Sequence, residues 1–212
     1  MKIESQIHCG TVVSRRETEQ GTFVETSHEA GSRLLNHAHT VPHLAILLQG
    51  AYFERIEDEC FLRLPGDEVY YPEFLAHENR FGRLPAACLN VETRGGSKPE
   101  RQTEKPAASA ELEQICDLAR KGMLRSLDGA AKVAGYHPVY LSRTFRKAYG
   151  ISVGAFLKKC RVKRSAELIF RTDLSLAEIA LEAGYYDQSH LTNEFATSAG
   201  FTPGELRRLA DH

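Results

Sequence analysis

Residues 131–154 read AKVAGYHPVYLSRTFRKAYGISVG, and residues 180–204 read ALEAGYYDQSHLTNEFATSAGFTPG. The two stretches are copies of one pattern. Ala131, Ala134, Gly135 and Tyr136 return 49 positions later as Ala180, Ala183, Gly184 and Tyr185. Ser142, Phe145, Gly150 and Gly154 return 50 positions later as Thr192, Phe195, Gly200 and Gly204, so the second turn carries one more residue. Each copy predicts a short helix, a glycine turn and a second helix, the helix-turn-helix layout.

Local signals around the repeats agree with it. Leu112, Ile115, Cys116 and Ala119 recur at helical spacing and stop near Gly122. Ser126 is placed to cap the first helix of copy one and Gly135 to close it. Pro138 suits the first turn of the next helix, where its missing N–H has no partner to lose. In that helix Leu141, Phe145 and Ala148 point inward, and Val139, Ser142, Arg143 and Arg146 share the opposite face. Arginine pairs bidentately with guanine, while Ser and Val suit base edges or a thymine methyl, so this face fits a major groove. Residues 153–170 predict one long helix of roughly 27 Å, of the order needed to set two reading helices about 34 Å apart, one DNA turn, once their own offsets are added. Ser175 with Glu178 forms a capping-box pattern at the second copy. Asp187 caps the second reading helix, turning Leu191 and Phe195 inward and Gln188, Ser189, Thr192 and Asn193 outward. That face has no Lys or Arg, and Glu194 lies beside it. Both a groove-contacting and a purely structural role stand for it.

The charge divides along the chain. The net charge of -1 over 212 residues splits into -5 for residues 1–104 and +4 for 105–212. Residues 129–166 hold nine Lys/Arg and no acid, a block suited to a phosphate backbone. A content of 42% hydrophobic and 26% charged residues is that of a soluble globular protein. No run has the roughly 18 apolar residues of a membrane span, and the opening MKIESQIHCG has no apolar stretch, so neither a membrane segment nor a secretory leader is expected. Five cysteines (Cys9, Cys60, Cys88, Cys116, Cys160) are odd in number and form no CxxC. They read as reduced thiols of a cytoplasmic protein rather than disulfides or a zinc site.

Ahead of the helices the pattern changes. Short candidate strands occupy 22–28, 32–39, 43–48, 51–56, 60–64, 68–71, 76–81 and 87–93, separated by Gly31, Pro42, Gly50, Pro65, Gly66, Pro72 and Pro85. Many short strands with regular turn signals indicate a sandwich or barrel. The polar stretch GGSKPERQTEKPAAS, residues 95–109, reads as a linker. The expected organisation is multidomain, all-β plus all-α: a barrel over 1–94, a linker over 95–109 and a helical domain over 110–212.

The phrases AGYHPVYLSRTFRKAYGISV and EIALEAGYYDQSHLTNEFATSAGFTPGELRR resemble the paired motif of the AraC-type (AraC/XylS) bacterial transcription regulators, over about 100 residues from 109 to the C-terminus. The resemblance implies an all-α DNA-binding domain with two helix-turn-helix units joined by a long helix. Carried over by position, the base-facing residues are Val139, Ser142 and Arg143 in the first unit, and Gln188, Ser189, Thr192 and Asn193 in the second. The family usually has a basic residue where Asn193 stands, and often another near Ala196; here both are uncharged.

In the first part, Gly31, His37, His39, His43 and Gly50 follow G-x5-H-x-H-x3-X-x6-G, and Gly66, Pro72 and His77 follow G-x5-P-x4-H. Both spacings resemble the motifs of the cupin barrel, a jelly roll that regulators of this kind often carry as a sensor. The match departs at His43, where a cupin has Glu, at Phe74, where it has Gly, and at Phe81, where it has Asn. His37 and His39, two apart on a strand, point to one face, and His43 and His77 could join them from neighbouring strands. Converging neutral imidazoles suit one divalent transition metal such as Zn, Ni, Fe or Cu. The alternative is a set of histidines lining a ligand pocket without metal.

The expected function is a ligand-responsive, sequence-specific transcription regulator without catalytic residues. Its partners would be double-stranded promoter DNA, a small-molecule or metal effector and RNA polymerase, with no membrane, as monomer or homodimer. Rival readings are a metal-dependent cupin enzyme with an accessory DNA-binding domain, and a constitutive DNA-binding protein whose barrel serves assembly.

Overall fold

The computed structural model describes residues 2–4, 9–19, 21–93 and 109–211. The chain divides into two compact units, one built of strands and one of helices. Except for Ser109, the stretch read as a linker lies outside the described residues.

The β unit contains β1 (Lys2–Glu4), β2 (Thr11–Glu17), β3 (Gly21–His28), β4 (Arg33–His39), β5 (His43–Gln49), β6 (Tyr52–Ile56), β7 (Glu59–Arg63), β8 (Glu68–Tyr71), β9 (His77–Phe81) and β10 (Ala86–Thr93). The last eight lie where the short runs between turn residues place them. β1 and β2 carry no such signal: β2 reads TVVSRRE and is exposed at every position, so no buried face imprints a period on it.

The strands form two five-stranded sheets, ordered β1-β4-β9-β6-β7 and β2-β3-β10-β5-β8. From β3 to β10 the chain passes repeatedly between the sheets, and each sheet interleaves early and late strands. That is the double Greek key of a jelly roll. Burial alternates with period two along β5 and β9, so His43, Ala45 and Leu47 face inward, as do His77, Asn79 and Phe81. Val24, Leu47, Phe53 and Phe81 form part of the apolar core, each side chain contributing about 1.5–3 kcal/mol by leaving water. The interior is also unusually polar: His28, His37, His39, His43, Glu54, His77, Asn79 and Asn90 are all buried. Buried polar groups are the informative exceptions in a core.

β4 carries a local irregularity. Leu34 pairs with Asn79 of β9, but the next pair is His37 with His77, leaving one extra residue in β4. Such a bulge re-aims the following side chains.

The α unit contains α1 (Ala110–Arg120), α2 (Leu127–Ala134), α3 (Pro138–Tyr149), α4 (Val153–Arg171), α5 (Leu176–Glu182), α6 (Gln188–Ala199) and α7 (Pro203–Ala210). Its ends follow the sequence signals. Ser126 Oγ accepts from the Gly129 N–H, and Gly135 terminates α2 in the left-handed conformation at φ 67°. Pro138 opens α3, and Ser175 with Glu178 closes a reciprocal capping box at α5. Leu112, Ile115, Cys116 and Ala119 of α1 share one apolar cluster with Leu141, Phe145, Val153 and Leu157. Ile179, Tyr185, Leu191, Phe195 and Leu206 bury the second copy. Among the described residues no helix is long and apolar enough to cross a membrane.

Candidate functional site

The two helix-turn-helix copies present different faces. In α3, Leu141 and Phe145 are wholly buried, while Val139, Arg143 and Arg146 are exposed and Ser142 is half-buried. His137 Nδ1 accepts from the Val139 N–H at 3.3 Å, holding the first turn of the helix. Tyr140, exposed and edge-on to Tyr136 at 5.1 Å, stands on the same helix as an aromatic that periodicity had not singled out. In α6, Asp187 Oδ1 accepts from the His190 N–H at 2.7 Å. Gln188, Ser189 and Asn193 are exposed and Thr192 is half-buried, its hydroxyl donating to the Gln188 carbonyl at 2.9 Å.

Glu194 does not lie open on that face. Its carboxylate receives two hydrogen bonds from the Arg161 guanidinium of α4, at 3.0 and 2.8 Å, and both side chains are mostly buried. The same guanidinium lies 5.5 Å from the Tyr185 ring centroid. α4, at 19 residues, is roughly 28 Å long and is tied to α6 by this pair.

In the β unit the structure brings all four expected histidines together. His37 and His77 are direct cross-strand partners with ring centroids 4.2 Å apart. His39 lies 5.2 Å from His37, 5.5 Å from His77 and 4.7 Å from His43. His43, on the facing sheet, pairs with Tyr71 of β8, and the Tyr71 ring stacks on both His43 (5.1 Å) and His77 (4.5 Å). The cluster therefore spans the two sheets.

Backbone carbonyls set the tautomers. Nδ1 of His37, His43 and His77 lies 2.9, 3.2 and 3.0 Å from the carbonyl oxygens of Leu35, Val41 and Leu75, each two residues back. A carbonyl oxygen only accepts, so each ring carries a proton on Nδ1 and, when neutral, has its lone pair on Nε2. Burial pushes the pKa of His77 down to about 4, against a smaller opposing pull from the Leu75 carbonyl. Neutral imidazoles oriented by a second-atom hydrogen bond are the form that ligates metals.

Tyr71 is held from behind. Its hydroxyl donates to Glu54, which is wholly buried and also accepts from Arg63 at 2.6 Å and from Asn79 at 3.4 Å. Burial raises the Tyr71 pKa well above its ordinary value, with Tyr52 and Glu54 adding to the shift, so it stays a phenol. Glu54, Arg63 and Tyr71 escaped the sequence reading because no motif links positions on three different strands.

The structure adds one relationship to the cysteine reading. No disulfide joins any of the five cysteines, but Cys9 is not a stray thiol: its sulfur and ring nitrogens of His37 and His39 all lie within 4.8 Å of one another. Cys9 is 28 residues from His37 in sequence, and only the closing of the jelly roll makes them neighbours. The cavity lined by these groups has a volume of about 40 Å³.

A family model described as a helix-turn-helix domain matches residues 130–209. Over 114 residues the chain is 32% identical to the HTH-type transcriptional regulator GlxA of Rhizobium meliloti (strain 1021), covering 53% of this chain and 35% of that protein. The carboxyl-terminal unit is an AraC-type helix-turn-helix domain. The C-terminal domain of AraT, a response regulator from Geobacillus stearothermophilus, is 31% identical, with a TM-score of 0.44, over 52% of this chain and 88% of that one. A cupin-2 domain protein from Shewanella frigidimarina is 17% identical, with a TM-score of 0.33, over 41% of this chain and 85% of that one. The chain thus spans about a third of the length of GlxA.

Within the AraC-type domain, α2–α3 and α5–α6 are the two helix-turn-helix pairs and α4 joins them. The first pair exposes two guanidinium groups, Arg143 and Arg146, that suit guanine edges and phosphates. The second exposes amides and a hydroxyl, which suit adenine edges and phosphates without adding charge.

Proposed function

We propose that this chain is a sequence-specific DNA-binding transcription regulator whose jelly roll senses a divalent transition-metal ion and thereby adjusts promoter binding by the AraC-type domain. The outward face of α3 carries the reading. Val139, Arg143 and Arg146 stand exposed on a helix whose other side buries Leu141 and Phe145, within a stretch of nine Lys/Arg and no acid. Phosphate contacts from that stretch supply affinity, and base contacts from Val139, Ser142 and Arg143 supply specificity. Gln188, Ser189, Thr192 and Asn193 of α6 enter the neighbouring groove with weaker discrimination. One chain with two reading helices suffices to cover adjacent turns, so a monomer is competent to bind.

The size and lining of the barrel cavity favour an ion over a larger effector. About 40 Å³ accommodates one or a few water-sized groups, whereas pockets that engulf drug-sized ligands run to about 300–1,000 Å³. Imidazole donors suited to an ion converge there: Nδ1 of His37, His43 and His77 each faces a backbone carbonyl, and nitrogens of His37 and His39 lie within 4.8 Å of each other and of the Cys9 sulfur. Zn, Ni, Cu or Fe(II) all suit imidazole. Bound there, the ion supplies a fixed positive charge at which side chains of both sheets meet. A regulator role for the chain entails no turnover and needs none of these residues to react.

The test is genome-wide mapping of DNA bound by the full chain, followed by affinity measurements on a recovered site with each metal added or chelated. A discrete set of sites, with affinity changing at least severalfold on chelation, is expected. No sequence preference at moderate salt overturns the regulator reading. Site-specific binding indifferent to every metal and to chelation overturns the sensor and leaves a constitutive DNA-binding protein.

A further inference from the structure

The first two strands pair with different sheets. β1 pairs in parallel with the histidine strand β4, Lys2 opposite His37 and Glu4 opposite His39. β2 pairs with β3 in the other sheet, beginning with Thr11 opposite Ser27. Cys9 sits between these two anchors, with its sulfur beside the imidazoles of His37 and His39. Its neighbour Gly10 fixes that placement. Gly10 adopts φ +96°, and a Cβ there would lie 2.6 Å from His28 Cε1 and 2.8 Å from the Ser27 carbonyl oxygen. Only glycine lets the chain seat so closely on the end of β3.

We propose that Cys9 is a ligand of the barrel's metal ion, giving a mixed thiolate–imidazole site that selects zinc-like, thiophilic divalent ions and clasps the N-terminal segment onto the histidine strand when loaded. The inference rests on the metal-sensing reading and sharpens it. A thiolate shifts a nitrogen-only site from the hard-to-borderline ions toward zinc and other thiophilic metals. Its sulfur at about 2.3 Å and imidazole nitrogens at about 2.0–2.1 Å from a tetrahedral zinc require only a modest closing of the separations present here. On binding, the Cys9 S–H proton passes to solvent as the S–metal bond forms, and no electron moves. Cys88 also lines the cavity, but among the described residues the thiol grouped with His37 and His39 is that of Cys9. Because Cys9 lies between β1 and β2 and His37 and His39 belong to β4, loading adds a second tie to β4 beside the β1–β4 pairing. Metal occupancy is thereby converted into a firmer hold of the chain around Cys9 on the histidine strand.

The probe is Co(II) added to the full-length, reduced chain, with Cys9→Ser, Cys88→Ser and Gly10→Ala alongside. Visible d–d absorption reports any bound cobalt, and thiolate-to-cobalt charge transfer in the near ultraviolet reports sulfur ligation. Expected are both bands in the parent and in Cys88→Ser, with d–d bands alone in Cys9→Ser. Zinc affinity by dye competition should fall about 100-fold or more in Cys9→Ser, since loss of even an outer partner of a ligand costs about 10–100-fold. Gly10→Ala, which keeps the sulfur but displaces it, should weaken charge transfer and zinc affinity in the same direction. Visible bands without charge transfer in the parent, or charge transfer that survives Cys9→Ser, overturn the Cys9 assignment and leave the histidine site standing. Absence of both bands in the parent overturns the metal-sensing reading itself.

Discussion

Arg161 of α4 and Glu194 of α6 are joined by a two-pronged ion pair, Nε to Oε1 at 3.0 Å and Nη2 to Oε2 at 2.8 Å, with each side chain only 14% exposed. The acid that stands beside the outward face of α6 is therefore neutralised inside the domain, and the arginine that neutralises it comes from α4, the helix between the two helix-turn-helix pairs. A cation of the basic stretch is spent on architecture rather than on phosphate.

Removal of one partner strands a mostly buried charge. Glu194→Gln should destabilise the helical unit by about 2–4 kcal/mol, near the range for breaking a buried pair, and lower its melting temperature by on the order of 10 °C. DNA affinity measured below that transition should stay within about twofold of the parent. Tighter binding with an unchanged melting temperature would mean that Glu194 faces phosphate instead.

Arg143 is exposed on α3 and, in the proposed function, distinguishes bases. Arg143→Ala should cost about 1–3 kcal/mol at a cognate site and relax preference at one base pair. Equilibrium binding to the cognate duplex and to its single-base variants checks both parts. Affinity equal to the parent at the cognate site refutes the assignment.

The neutral face of α6 offers a gain-of-function test. Asn193 is exposed on a helix that has no Lys or Arg. Asn193→Arg should raise affinity severalfold at low salt and steepen the dependence of log K on log salt by about 0.9 for one new phosphate contact. An unchanged slope would assign α6 a structural role.

Acid should loosen the metal-free β unit. Burial lowers the pKa of both His28 and His77 from 6.5 to about 4. Between those values the unfolded chain takes up protons that the folded barrel refuses, so stability is full above about pH 6.5, falls as pH drops toward 4, and levels off below. At about 1.4 kcal/mol per pH unit, each histidine withdraws up to about 3 kcal/mol across the window. Hydrogen exchange of barrel amides in chelator at pH 7 and pH 5 should show lower protection at pH 5, after correction for intrinsic rates. Equal protection at both would show that the two rings protonate without opening the barrel.

Much of the architecture was legible before folding was considered. The helices announce themselves through period 3.6, Ser126, Ser175 and Asp187 at their starts and Gly135 at a stop, all signals contained within a few residues. Eight strands follow from short runs bounded by turn residues for the same reason. β2 was not legible, because a strand exposed at every position leaves no alternating pattern, and β1, at three residues, is too short to show a period.

The site was legible only in part. The sequence by itself determined a duplicated helix-turn-helix with a cationic first face and a β domain rich in spaced histidines, because these depend on short-range periodicity and residue type. Tertiary structure alone decided that a bulge in β4 sets His37 against His77, that Glu54 and Arg63 brace Tyr71, that Cys9 reaches His37 and His39, and that Arg161 silences Glu194. Each of these joins elements distant in sequence, and such contacts arise from chain closure and burial, which no local pattern of residues encodes.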